Sequence, residues 1–245
     1  MNSPRHSGRQ KRMTLTMTKT GLYAARSEMY AIAEPMKNCW RSFAVALTAL
    51  ALYLVLGPVP EALILDRSIS LLAEPWRLVT AHLTHSDRGH LFWDCAGLLL
   101  VSWLYEPLFG QRVWLVLLAG SLAIDSAILT LAPEVLRYCG LSGLVNSIVG
   151  AGLVLAWMER RDPLLVGFGL LIAAKVVIEN LTATPLFTDI SWPPLHLAHL
   201  IGLLTGILMG TLIVWRKTRS HPQPCRPMNR AGKSFCRRIR VSLSR

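Results

Sequence analysis

An all-α polytopic membrane protein of six transmembrane helices is the fold class that this 245-residue sequence predicts, on three observations. Hydrophobic residues make up 52% of the chain and charged residues 16%, with a mean hydropathy of +0.41, a balance that suits lipid better than water as solvent. Three runs, 42–60, 138–158 and 190–215, contain no Asp, Glu, Lys or Arg, and each is near or above the roughly 20 residues that a spanning helix needs. Three more apolar runs carry internal charge: about 89–106 with Asp94, about 111–132 with Asp125, and about 163–181 with Lys175 and Glu179.

The first span follows a polar, basic segment, 1–40, expected to be disordered; Met13, Met17, Met29 and Met36 leave its true start open. No cleavable signal peptide is expected, because the first apolar run begins far into the chain and is long enough to act as a signal anchor. Between the second and third spans stands Glu106-Pro-Leu-Phe-Gly-Gln-Arg112, and between the fourth and fifth Glu159-Arg-Arg-Asp-Pro163. Both connectors carry the Pro and Gly punctuation that ends helices. The membrane domain is therefore placed at 41–216. The tail 217–245 is basic, free of acidic residues and scattered with Pro and Ser, a composition expected to be disordered and drawn to anionic lipid.

The net charge of +12 invites a nucleic-acid reading, but its placement favours the bilayer. Eight Lys and Arg residues lie in 1–41 and ten in 216–245, whereas the loops assigned to the opposite face carry only Arg67, Arg77, Arg88 and Arg137. By the positive-inside rule both termini are cytoplasmic. The tail also lacks the interleaved aromatics of a nucleic-acid stacking platform, so no nucleic acid partner is expected. Five scattered cysteines, an odd number without Cys-x-x-Cys spacing, predict neither a disulfide framework nor a cysteine zinc site. The histidines 82, 85, 90, 196 and 199 lack His-Glu-x-x-His spacing, so neither metal nor cofactor is expected.

With this topology the second, fourth and sixth spans enter from the outer face. At 1.5 Å per residue, His90, Ser142 and His199 then lie within roughly 10 Å of that boundary. The odd spans run the other way and bring Asp125 and Glu179 to the same outer third. Polar groups at one depth predict a water-accessible cavity open to that face. Small residues recur every four positions at Ala198, Gly202, Gly206 and Gly210, and at Gly143, Ser147 and Ala151, a pattern that lets membrane helices approach backbone to backbone. Such a contact can unite the Ser142 hydroxyl with the His199 imidazole. An alcohol needs a base to become a nucleophile, and unpaired N–H groups at a helix start can receive an oxyanion. Taken singly these residues also have plainer uses: Ser142 as a helix N-cap, His199 as a bridge between helices, and the glycines as packing.

These residues resemble the rhomboid family of intramembrane serine proteases, over about 40–216. Trp76-Arg-Leu-Val-Thr-Ala-His-Leu-Thr-His85 is similar to the family's first-loop Trp-Arg motif, Gly140-Leu-Ser-Gly143 to its Gly-x-Ser-Gly, and Ala198-His-Leu-Ile-Gly-Leu-Leu-Thr-Gly206 to its His-bearing sixth helix. The resemblance implies a six-helix rhomboid-like bundle, with Ser142 as nucleophile, His199 as general base of a Ser-His dyad, and His90 binding the oxyanion together with the Ser142 N–H. Gly140 and Gly143 would border the substrate. Where rhomboids usually show His-x-x-x-Asn, this chain has Asp94, and an ionised carboxylate would repel an oxyanion. Either Asp94 carries a proton, or it orients and charges His90, or it simply ties helices together.

A finer resemblance is to the rhombosortase branch, carried by the short loops, Tyr138-Cys-Gly-Leu-Ser-Gly, the Trp93-Asp94 pair and Ala174-Lys-Val-Val-Ile-Glu179. It implies cleavage, at the outer face of the inner membrane, of membrane-anchored proteins that end in a Gly-Gly motif, a hydrophobic span and a basic end. Glu179 would contact the substrate, unless it merely neutralises Lys175 four residues away. Transfer of the acyl group to an amine would use the same residues. The competing readings are a general rhomboid protease with other substrates, a catalytically silent rhomboid-like binding protein, and a small transporter.

Overall fold

A computed structural model describes residues 39–184, 186 and 195–220. The basic segments expected at 1–40 and 217–245 lie almost wholly outside these residues. Among the described residues six helices of fourteen residues or more form the body: α1 (Trp40–Leu56), α2 (Arg88–Phe109), α3 (Val113–Leu131), α4 (Ser142–Leu155), α5 (Pro163–Thr182) and α6 (His196–Ser220). By length and hydropathy four stretches among the described residues can cross a membrane: Arg88–Leu131, which folds as α2 and α3 about a tight turn, then Ser142–Arg160, Pro163–Thr182 and His196–Arg219. Helix α1 has 17 residues, about 26 Å of rise against a hydrocarbon core of about 30 Å.

The start of α5 follows local chemistry, and the end of α2 departs from it. Asp162 caps α5, its Oδ1 accepting from the N–H groups of Leu164 at 2.9 Å and Leu165 at 3.2 Å, with Pro163 at the first helical position. The departure is at Pro107, expected to close α2 at about 106: the helix continues to Phe109 and closes at Gly110, with φ of 59°. Glu106, expected in the connector, is wholly buried and accepts from the Ser42 hydroxyl at 2.5 Å, with Arg41 at 3.6 Å. That anchorage of α2 to α1 fixes the turn holding Pro107, and the helix tolerates one missing N–H.

Centrally, α4 and α6 pack backbone to backbone. A Cβ at Gly202 would collide with the Gly143 carbonyl oxygen, one at Gly206 with the Ser147 carbonyl oxygen, and one at Gly150 with the Leu203 carbonyl oxygen. Apolar residues of α2, α3 and α4, among them Leu98, Tyr105, Ile124 and Ile148, fill the space around this pair. Many large apolar side chains on the outer faces of α1, α3, α5 and α6 are exposed, such as Leu54, Leu115, Leu171 and Leu208, as a lipid-facing surface requires.

The long connection between α1 and α2 is tied to the bundle. Strand β1 (Leu65–Asp66) pairs antiparallel with β2 (Arg137–Tyr138), Leu65 opposite Tyr138. The Ser68 hydroxyl donates to Asp66 Oδ1 at 2.6 Å and holds that carboxyl below the usual carboxylate range, helped by the Ser68 N–H and by Arg137. Such a group stabilises the fold above the ordinary carboxylate pKa, and its contribution is lost as pH falls through its depressed value. Arg67 gathers the carbonyls of Ile128, Leu129, Ala132 and Val135 at 2.7–3.2 Å, closing the C-terminus of α3.

Arg77, only 3% exposed, donates to the Ile64 carbonyl at 2.6 Å and to Glu74 at 2.7 Å. Arg77→Ala leaves those acceptors unsatisfied, at about 1–3 kcal/mol for each buried group. A thermal unfolding midpoint lowered by several degrees is expected, and an unshifted midpoint would show that the loop carries no such load.

Candidate active site

Gly140 sets the approach to α4. Its φ of 125° excludes ordinary side chains, and a Cβ there would stand 2.6 Å from His90 Nε2. The chain turns after it, and Ser142 opens α4 with Leu141 as the capping residue and no side-chain cap. Ser142 therefore does not serve as an N-cap. Its Oγ lies 2.9 Å from His199 Nε2, which projects from the first turn of α6. Gly143 and Gly202 permit that distance, since α6 comes within backbone contact of α4 one turn further on.

On its other side the His199 ring presents Nδ1 to Glu179 Oε2 at 3.5 Å, and neither atom has a hydrogen-bond partner. Glu179 is 1% exposed. Its second oxygen, Oε1, accepts from Lys175 Nζ at 2.6 Å and from the Leu186 N–H at 2.8 Å. The expected pairing of Lys175 with Glu179 is thus present, but it engages only one oxygen. The expected substrate contact of Glu179 is not what this placement offers, because the carboxylate stands behind His199 and does not line the cavity.

Asp94 reaches across from α2 to the start of α4. Its Oδ2 accepts from the N–H groups of Leu141 at 2.7 Å and Ser142 at 3.1 Å, and it lies 3.2 Å from His85 Nε2 and 3.3 Å from His90 Nε2. Four groups able to donate converge on one oxygen, so Asp94 acts here as an acceptor. The helix-start N–H groups, expected to stand unpaired for an oxyanion, are occupied by this carboxylate. His90 is held from its other nitrogen by the Ser86 hydroxyl at 3.0 Å. Asp94→Asn keeps an acceptor for both N–H groups, whereas Asp94→Ala removes it and leaves two donors without a partner. The amide variant is expected to retain on the order of a tenth or more of wild-type cleavage and the alanine variant far less, with a lowered unfolding midpoint. Equal losses in both would assign Asp94 a role that requires its charge.

A cavity of about 670 Å³ opens onto this arrangement, lined by His90, Trp93, Asp94, Ser142, Asn146 and His199 among others. Asp125, expected to line the same cavity, does not: it is fully buried 3.2 Å from His82 Nε2. His82 and His85, which the sequence left in a loop, are 0% and 1% exposed. Their pairing with Asp125 and Asp94 is what sequence reasoning missed. The signal available for them was two buried carboxylates, Asp94 and Asp125, in need of partners. Cys95 fills space beside α1, as expected, and no disulfide joins the described cysteines.

Two comparisons bear on this geometry. The family model of the Rhomboid domain matches residues 72–216. YdcA of Bacillus subtilis (strain 168), itself only provisionally assigned as a rhomboid protease, is 30% identical over 150 residues, which span 60% of this chain and 72% of that protein. The matched region runs from the loop before Trp76 to the end of α6 and contains every residue of the arrangement described above.

Proposed function

The chain belongs to the rhomboid family of intramembrane serine proteases, and from that premise we propose that it is an endopeptidase in which Ser142 attacks and His199 serves as general base. The observation that carries this reading is the 2.9 Å separation of Ser142 Oγ and His199 Nε2 at the floor of a cavity. His199 Nε2 takes the hydroxyl proton as Oγ bonds to the scissile carbonyl carbon, and returns it to the amine as the C–N bond breaks. The acyl-enzyme then yields to water, which gives its proton to the same nitrogen. Glu179 Oε2 faces the ring from behind and favours both the Nδ1–H tautomer and the imidazolium that forms.

The oxyanion is the step that this chain handles differently. His90 reaches the cavity, but the Ser142 N–H becomes available only as Asp94 gives it up. Asp94 in this reading is a positioning residue, fixing His90 and the Leu141–Ser142 backbone at rest.

The finer reading is a rhombosortase-like specificity, supported by the resemblance at Trp93-Asp94, Tyr138-Cys139 and Lys175 to Glu179. The substrates are membrane-anchored proteins with a C-terminal Gly-Gly signal, a hydrophobic span and a basic end. The charge distribution supports a multi-pass inner-membrane protein with both termini cytoplasmic and the Ser142 cavity open to the periplasmic side. Six crossings satisfy that arrangement. Reconstituted protein is expected to cut a tagged substrate near its Gly-Gly motif and to lose at least about tenfold in rate when both glycines become valine, a loss of transition-state fit. Equal rates on both substrates would leave a rhomboid protease without this specificity. Mass spectrometry of the new C-terminus separates hydrolysis, which leaves a free carboxylate, from transfer to an amine.

A further inference from the structure

Three side-chain atoms beside Ser142 are buried and make no hydrogen bond: His196 Nδ1, His199 Nδ1 and Glu179 Oε2, the last two facing each other at 3.5 Å. They come from the first turn of α6 and the last turns of α5, and one ligand atom from each residue lies within 4.8 Å of the other two. His196 and His199 are three residues apart on a helix, hence on one face. The remaining polar atoms of Glu179 and His199 are already engaged. Glu179 Oε1 is saturated by Lys175 and Leu186, and His199 Nε2 faces Ser142. Leaving buried polar atoms without hydrogen bonds is costly, and here the three residues that carry them converge.

We propose that His196, His199 and Glu179 form a binding site for a divalent transition-metal ion, Zn²⁺ foremost, that switches the neighbouring Ser142–His199 pair off. Two imidazoles and one carboxylate oxygen are a zinc donor set that leaves a fourth position for water. Donors about 2.1 Å from zinc in a tetrahedron stand roughly 3.4 Å apart. The His199 Nδ1 to Glu179 Oε2 separation of 3.5 Å already matches that edge, and the longest separation, under 4.8 Å, has roughly an ångström or so to close. The hydrogen bonds that Lys175 and the Leu186 N–H make to the far oxygen of Glu179 are of the kind that orients ligands in such sites. Hard cations that prefer all-oxygen cages are disfavoured by the two nitrogens.

The switch follows from the tautomer. A neutral imidazole carries one proton and one free lone pair. Zinc on Nδ1 takes that lone pair and confines the proton to Nε2, the nitrogen that must accept from Ser142 Oγ. His199 can then hold the hydroxyl but cannot deprotonate it. The proton carried on Nδ1 passes to Nε2 as zinc binds: one N–H bond breaks, the other forms, and no proton leaves the site. The consequence for catalysis rests on the Ser142–His199 reading, whereas the metal site itself does not.

The test uses full-length protein in detergent, purified without a polyhistidine tag and stripped with EDTA. Zinc binding is measured by equilibrium dialysis, ligand geometry by the visible absorption of Co²⁺ in the same site, and reactivity by fluorophosphonate labelling. Wild type and Ser142→Ala are each expected to bind one zinc per chain, with His196→Gln weakened about tenfold or more. Zinc should slow labelling of wild type at least about tenfold, reversibly with EDTA, at concentrations that leave His196→Gln labelling unaffected relative to its own metal-free rate. Absence of stoichiometric binding, equal binding by His196→Gln, or loss of binding in His85→Gln instead would overturn the site. Binding without slowed labelling would overturn the switch. Failure of metal-free wild type to label counts against the Ser142–His199 reading, and the dialysis arm still decides the site.

Discussion

Ser142→Ala is expected to abolish cleavage, with a loss on the order of 10⁴-fold or more, while the protein inserts and unfolds as wild type does. The substitution removes one oxygen whose described partner is His199 Nε2 at 2.9 Å. No helix cap is lost with it, because Ser142 caps nothing; Asp94 holds the Leu141 and Ser142 N–H groups instead. A hydroxyl of structural value would register in the unfolding midpoint, whereas a nucleophile registers only in rate. Cleavage assays paired with thermal unfolding separate the two, and undiminished cleavage by the alanine variant would remove Ser142 from the chemistry.

The largest combined effect is expected from Gly202→Val. A Cβ at this position collides with the Gly143 carbonyl oxygen, one residue beyond Ser142. Neither backbone can yield by rotating a side chain, so α6 has to move away from α4, carrying His199 with it. A displacement of about 1 Å in a reacting pair costs on the order of a hundredfold in rate, and overpacking between close helices costs about 1–3 kcal/mol or more. Activity below about 1% of wild type and a clearly lowered unfolding midpoint are expected together. Gly167→Ala is the matching control, since nothing lies within 4 Å of a Cβ there. Normal activity in Gly202→Val would mean that the α4–α6 contact does not set the distance between Ser142 and His199.

Much of this was legible because membrane helices write their requirements locally. Charge-free runs marked α1, α4 and α6, Asp162-Pro163 announced the start of α5, and the four-residue spacing of small residues announced the α4–α6 contact. Pro107 misled because its effect on α2 was overruled by Glu106, whose buried bonds to Ser42 and Arg41 join positions more than sixty residues apart. Asp94 was visible as a departure, but not as the acceptor for backbone N–H groups 47 and 48 residues away. Periodicity carries no information on such closures. Glu179 likewise looked like half of a pair with Lys175, and only the packing of α5 against α6 turns its other oxygen toward His199. The first-loop histidines His82 and His85 gave no sign in the sequence of their pairing with Asp125 and Asp94.

The central claim, a hydroxyl activated by an imidazole from another helix, is tested most directly by mapping where a fluorophosphonate attaches. Wild type should carry a single adduct on the peptide containing Ser142, and His199→Ala, folded to the same helix content, should carry almost none. Attachment at Ser86 or Ser147, or equal labelling of Ser142 without His199, would contradict the account.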